Sequence, residues 1–188
     1  MSGRHAPQRD PVAAANARVG DPPIRAAVLT ASDRCAAGTA VDRSGPAVVE
    51  YLRASLACDV VEHALSRDDE AIIESFLRRW SEGRDAVDLA VVTGGTGLSP
   101  RDVTPEAAMR VITRPHPALM ELARARCGAT NPRAYLSRAV AGAHSATLIV
   151  TLPGSPTGAV ETLQAMADIL PHAVRMLRGD ASPTAHRH

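Results

Sequence analysis

Thr93-Gly94-Gly95-Thr96-Gly97-Leu98-Ser99-Pro100-Arg101-Asp102-Val103-Thr104-Pro105-Glu106 is the stretch on which the reading of this chain turns. It follows an apolar run, Val87 to Val92, that reads as a buried strand, and it leads into a helix signal in which Thr104 and Pro105 look like N-cap and first helical residue. A glycine-rich loop therefore stands at the carboxyl end of a strand, where open α/β sheets bind their ligands. Closely spaced glycines let main-chain N–H groups approach an anion with no Cβ in the way. Thr93 and Thr96 add hydroxyl donors and Arg101 adds fixed positive charge. Asp102 adds a carboxylate that a phosphate would repel unless a metal or a substrate donor sits beside it. The mixture points to phosphate chemistry with Mg²⁺. It is not a P-loop, which needs Gly-Lys-Ser/Thr, and a dinucleotide fingerprint needs a glycine where Pro100 stands. The chain has no lysine; all 21 basic residues are arginine, which excludes P-loop kinases, Schiff-base enzymes and lysine-dependent nucleotidyltransferases. An alanine-rich, arginine-for-lysine composition is also what a GC-rich genome encodes.

Outward from this loop the same grammar repeats. Ile24 to Thr30 reads as a first strand, followed by Ser32-Asp33-Arg34 and a glycine-containing loop. Ser44 is placed to cap a helix with Val48, Val49, Leu52 and Leu56 on its apolar face, and Val60, Val61 and Leu65 suggest a second strand. Ile72, Ile73, Phe76, Leu77 and Trp80 recur at helical spacing and belong to the core. After the glycine loop, Ala107, Ala108, Val111 and Ile112 give a buried helix face, and a further helix runs from about Pro117 to Arg126. Thr130 to Leu136 is irregular, with Asn131-Pro132 as a turn signal. Arg138 to Ala141 and Thr147 to Leu152 are expected to pair across a turn at Gly142 to Ala146. Pro153-Gly154-Ser155-Pro156 then repeats strand, glycine loop, capping serine and proline, before one or two closing helices.

Strands alternating with helices predict a three-layer α/β/α fold with a mostly parallel central sheet and one antiparallel strand. The loops after Thr30, Val92 and Leu152 are then expected on one sheet edge, the candidate active site. The 188 residues suffice for one domain, expected over 23–179, between an N-terminal arm over 1–22 without periodicity and a flexible tail over 180–188. Net charge of +1 and 2% aromatic residues argue against a nucleic-acid partner. No apolar run approaches membrane-spanning length, and no signal peptide is evident. Cys35, Cys58 and Cys127 are far apart and odd in number, which fits reduced thiols in a cytoplasm. His63, His144 and His172 show no metal-ligand spacing, and His186 and His188 read as solvated.

The run TGGTGLSPRDVTPEA resembles the signature of the Mog/MoaB molybdenum-cofactor biosynthesis family, which includes the gephyrin G domain. Thr30-Ala31-Ser32-Asp33-Arg34 resembles that family's first loop. Asp42-Arg43-Ser44-Gly45-Pro46, Leu136-Ser137-Arg138 and Leu152-Pro153-Gly154-Ser155-Pro156 resemble three further elements, in the expected order. The likeness covers about residues 24–178. It implies a molybdopterin-binding α/β domain, commonly trimeric. It also implies a Mog-type activity: adenylylation of the terminal phosphate of molybdopterin by Mg²⁺-ATP, release of pyrophosphate, and hand-over to a molybdate-inserting enzyme. The alternative is a non-catalytic molybdopterin carrier of the MoaB type. His116-Pro117-Ala118 and Cys35 depart from the family pattern, outside the glycine loops.

Asp102 reads either as a loop aspartate favoured by the helix dipole or, by resemblance, as a family aspartate needed for adenylylation. Thr104 offers the better cap, which favours the second. Asp68 either caps the helix that follows, a task open also to Ser66 with Asp69, or matches the family's second essential aspartate. Both could hold Mg²⁺. Asp33 and Asp42 are turn formers or substrate ligands. Arg34 and Arg138 pair with phosphate or with a structural carboxylate. Ser155 is a cap and, for the same reason, an anion-binding group. Ser32, Ser137, the loop Thr93 to Gly97, Pro153 and Gly154 complete the expected substrate-binding set.

Overall fold

The computed structural model describes residues 22–179; the expected N-terminal arm, apart from Pro22, and the tail over 180–188 lie outside the described residues. Six strands form one sheet in the order β2-β1-β3-β6-β5-β4. β1 is Arg25–Ala31, β2 Asp59–Ser66, β3 Leu89–Thr93, β4 Arg114–Pro115, β5 Ala141–His144 and β6 Thr147–Leu152. β2, β1, β3 and β6 are parallel, while β5 runs against both of its neighbours, β6 and β4. Helices cover both faces: α1 Asp33–Ala36, α2 Ser44–Ser55, α3 Glu70–Ser81, α4 Thr104–Val111, α5 Pro117–Gly128, α6 Pro156–Gln164 and α7 Leu170–Arg178.

The central strands are apolar throughout because both faces are covered. On one face Val28, Val91 and Val150 pack with Val48, Leu52, Leu119, Leu163 and Leu170 from α2, α5, α6 and α7. On the other, Leu29, Val92 and Ile149 pack with Ile73, Leu77, Trp80, Ala108 and Val111 from α3 and α4. The three-layer fold with one antiparallel strand is thus as expected. Phe76 is only partly buried against this second core.

Three local expectations are corrected. Ser44 and Thr104 do not cap; each is the first residue inside its helix. At α2 the Asp42 carboxylate takes the orphan amide of Gly45 at 3.0 Å, and at α4 the N-cap position is Val103, with no side-chain cap. β5 begins at Ala141, three residues later than the expected Arg138, because the turn is the two-residue Ser145-Ala146 with Ser145 at φ 52°. Gly142 lies inside β5, where a side chain would collide with Ile112 and the Arg114–Pro115 backbone. The short β4 has no counterpart in the sequence reading.

Candidate functional site

The register Thr30↔Thr93↔Leu152 brings the carboxyl ends of β1, β3 and β6 level on one edge. The loops that leave them interlock. Gly94 donates its amide to the Leu152 carbonyl at 3.1 Å. Thr93 Oγ1 donates to the Pro153 carbonyl at 2.8 Å, and Thr96 Oγ1 to the Leu152 carbonyl at 3.4 Å. These two hydroxyls, read from sequence as donors to an anion, are spent on joining the glycine loops, and both residues are buried. Gly94 and Gly95 sit at φ 105° and 59°, which favour glycine. A Cβ on Gly94 would collide with the Ala31 carbonyl, and one on Gly154 would lie 3.2 Å from Gly94 Cα.

Arg138 holds the same loop from outside. Its Nε donates to the Gly97 carbonyl at 2.8 Å, its Nη2 donates to the Asp102 carbonyl at 2.5 Å, and it pairs with Glu106. Of its two sequence readings, the carboxylate partner is what the structure displays. Ser137 Oγ donates to Thr96 Oγ1 at 3.3 Å, beside the loop.

Two clefts open on either side of this wall. The larger, about 620 Å³, is lined by the β1 loop: Ser32, Asp33, Arg34, Asp42 and Arg43, with Asp68, Asp102, Gly94, Gly95, Gly154 and Ser155. The other, about 490 Å³, lies between α5 and α6, with Met120, Ala123, Arg124, Cys127, Arg133, Leu136, Ser137, Glu161 and Thr162 on its walls. Gly95, Asp102, Gly154 and Ser155 border both. The α5–α6 residues are an addition to the sequence reading. Their signal was present: Met120, Ala123 and Cys127 recur at helical spacing, with Arg124 set into that face. Arg124 spends its guanidinium on the carbonyls of Ser137 and Ala139, at 3.1 and 2.6 Å.

The acidic groups divide by task. Asp42 is a clasp: Oδ2 accepts from Thr30 Oγ1 at 2.7 Å and lies 3.3 Å from His63 Nε2, while Oδ1 takes the Gly45 amide. Capping of α3 falls to Asp69, whose carboxylate accepts from the Ile72 amide at 3.1 Å, so Asp68 is not needed for it. Asp68 instead exchanges hydrogen bonds with Asp33, and Arg101 Nε donates to Asp33 Oδ2 at 3.1 Å. Those Arg101 bonds hold the Asp33 carboxyl below the ordinary carboxylate range. Asp68 goes the other way. Burial pushes its carboxyl up, the Asp33 amide opposes this, and the nearby Asp33 and Asp102 charges add to the rise. Asp102 Oδ2 accepts from the Ser99 amide at 2.8 Å, closing the turn that carries Arg101. Ser155 caps α6, accepting from the Gly158 amide at 3.2 Å, and Ser32 caps α1.

Among the described residues no group of three or more His, Cys, Asp and Glu is assembled as a metal cage. Two crowded carboxylates beside a glycine loop do fit an ion that takes most of its ligands from substrate phosphates and water, as Mg²⁺ does. No helix among the described residues is long and apolar enough to cross a membrane.

A mostly parallel sheet whose interlocked glycine loops divide two clefts defines a ligand-binding α/β domain. Its residues 27–172 match the family described as "Probable molybdopterin binding domain", and the chain belongs to that family. It is 37% identical over 158 residues to the molybdopterin adenylyltransferase of Helicobacter pylori J99, covering 84% of this chain and 89% of that one. It is 35% identical to the molybdenum cofactor synthesis protein cinnamon of Drosophila melanogaster over 86% of this chain, but spans only 27% of cinnamon's length. Among solved structures, the molybdopterin biosynthesis enzyme MoaB of Thermus thermophilus superposes with a TM-score of 0.78. It is 41% identical, over 83% of this chain and 97% of that one.

Proposed function

We propose that this protein acts in molybdenum cofactor biosynthesis as a molybdopterin adenylyltransferase. The observation that carries the reading is the shared wall: two clefts meet at Gly95, Asp102, Gly154 and Ser155, so ligands held in each would face one another across it. The name of the Helicobacter pylori relative supports the same activity. The α5–α6 cleft, with Met120, Ala123 and Leu136 beside Arg124 and Arg133, suits a pterin bearing an anionic tail. The β1-loop cleft, with Arg34 and Arg43 beside Asp68 and Asp102, suits Mg²⁺-ATP.

In this reading a phosphomonoester oxygen of molybdopterin attacks the α-phosphorus of ATP. The new P–O bond forms as the bond to the β-phosphate oxygen breaks, and pyrophosphate leaves with the electron pair. No protein nucleophile is needed; positioning and charge neutralisation are most of the task. Asp68 and Asp102 are the residues that would hold Mg²⁺, which when bound neutralises phosphate charge. The Ser155 cap and the exposed start of α6 favour an anion at the shared wall. Arg101 steadies the Asp33–Asp68 pair, and Arg138 fixes the loop. By family resemblance the reading extends to a cytoplasmic homotrimer that hands its product to a molybdate-inserting enzyme; the free Cys35, Cys58 and Cys127 agree with a reducing compartment.

Incubation with molybdopterin, ATP and Mg²⁺ should give the adenylylated pterin and one pyrophosphate per turnover. Tight pterin binding with no pyrophosphate above background would overturn the reading in favour of a carrier.

A further inference from the structure

Thr104 is completely buried, and its Oγ1 has no hydrogen-bond partner among the described residues. A buried hydroxyl left so is costly, and here it is held in place. The Thr104 amide donates to the Gly95 carbonyl at 3.1 Å, which fixes the side chain under the glycine loop. A Cβ built on Gly95 would stand 2.5 Å from Thr104 Oγ1 and 2.9 Å from Asp68 Oδ1. The hydroxyl and the carboxylate therefore converge on the same small space, kept open because residue 95 has no side chain. Asp68 Oδ2 is already committed to the Asp33 amide, which leaves Oδ1 as the oxygen turned toward Thr104. A buried donor without an acceptor stands beside a carboxylate oxygen that accepts from no protein donor among the described residues, within the span of one bridging water.

We infer that Thr104 is a positioning residue for Asp68, its hydroxyl orienting the Oδ1 lone pairs through one water beneath Gly95. The inference rests on the adenylyltransferase reading only for its effect on Mg²⁺-ATP affinity and turnover. Thr104 lines neither cleft, so it acts through Asp68 and not on substrate. Groups that orient a ligating carboxylate typically matter by roughly 10–100-fold in affinity or rate.

Thr104→Val keeps the shape and removes the hydroxyl; Thr104→Ser keeps the hydroxyl. The Val variant should stay folded with only a small change in melting temperature, since it keeps the shape and gives up one hydrogen bond of modest net worth. Its Mg²⁺-ATP affinity by calorimetry and its single-turnover rate should fall by roughly 10–100-fold with molybdopterin affinity unchanged, and Ser should restore both. The Val change added to Asp68→Asn should cost nothing further. At fixed pH, the Asp68 side-chain carboxyl ¹³C resonance should move in the Val variant and return in the Ser variant. An unmoved resonance, or full additivity with Asp68→Asn, overturns the inference whatever the activity. A wild type that releases no pyrophosphate overturns the adenylyltransferase reading alone, because the resonance still decides the role of Thr104.

Discussion

Asp33 and Asp68 grip one another's backbones: the Asp33 amide donates to Asp68 Oδ2 at 2.9 Å, and the Asp68 amide donates to Asp33 Oδ1 at 3.2 Å. The loops after β1 and β2 are thus joined by two carboxylates that would otherwise repel. Arg101, brought from the signature loop by the Asp102 turn, supplies the compensating charge.

Arg101→Met should therefore leave the melting temperature unchanged, because an exposed ion pair contributes little to stability. Its cost should appear in the site, as a weaker nucleotide affinity in calorimetry and a slower single turnover. Equal performance with wild type in both would show that the Asp33–Asp68 pair needs no counter-charge.

Asp68→Asn and Asp102→Asn should each lower the single-turnover rate, on the order of 100-fold or more, with molybdopterin affinity retained. Neither should unfold the protein. Asparagine can still accept from the Asp33 or the Ser99 amide, and Asp68→Asn also removes one charge from a crowded acidic group. Had Asp68 been the cap of α3, its loss would have lowered stability and spared turnover; Asp69 fills that place.

Gly95→Ala should damage binding and stability together. Its φ of 59° costs an L-residue about 1–2 kcal/mol, and the new methyl would meet Thr104 Oγ1 and Asp68 Oδ1. A lowered melting temperature with loss of Mg²⁺-ATP binding is expected. Normal ligand affinity in a stable variant would show that the loop yields more readily than its contacts suggest.

Stability toward acid should depend on Asp88. Burial pushes its carboxyl up, but Arg178 Nε at 2.8 Å and the Arg25 amide at 2.7 Å outweigh this and hold it below the ordinary value. A carboxyl with a depressed folded value contributes stability that is complete above the unfolded value. That contribution is lost as pH falls through the folded one. Melting temperature should hold above about pH 5 and drop steeply below about pH 4. Asp88→Asn should cost about 1.5–3 kcal/mol on the plateau and flatten the acid limb. An unchanged limb would assign acid sensitivity elsewhere.

The strand ends that build the site were legible in the sequence because apolar runs stop abruptly at glycine loops. Thr30, Thr93 and Leu152 fall level, as three parallel strands of one sheet require. The antiparallel strand was legible in kind but not in register. Gly142 carries the usual turn signal, while the real turn uses Ser145 at positive φ, an uncommon choice. β4 is two residues long and contains Pro115, so it has no periodicity to read. Side-chain direction was the deeper limit. Nothing in the letters Thr93 and Thr96 says that their hydroxyls turn back to the chain, or that Arg138 points at carbonyls and Glu106. Capping at Ser44 and Thr104 reads wrongly from sequence because the favoured residue types stand one place inside each helix.

Gly154 rests on Gly94 with no side chain between them, so the partition between the two clefts is little more than one backbone thick. A ligand that shifts or stiffens it from one side changes the free energy of filling the other, and linkage makes that effect equal in both directions. On the proposed reading, filling of the two clefts should be cooperative: the affinity for either ligand, titrated with and without the other, should change by the same factor, and equal affinities would show an inert wall.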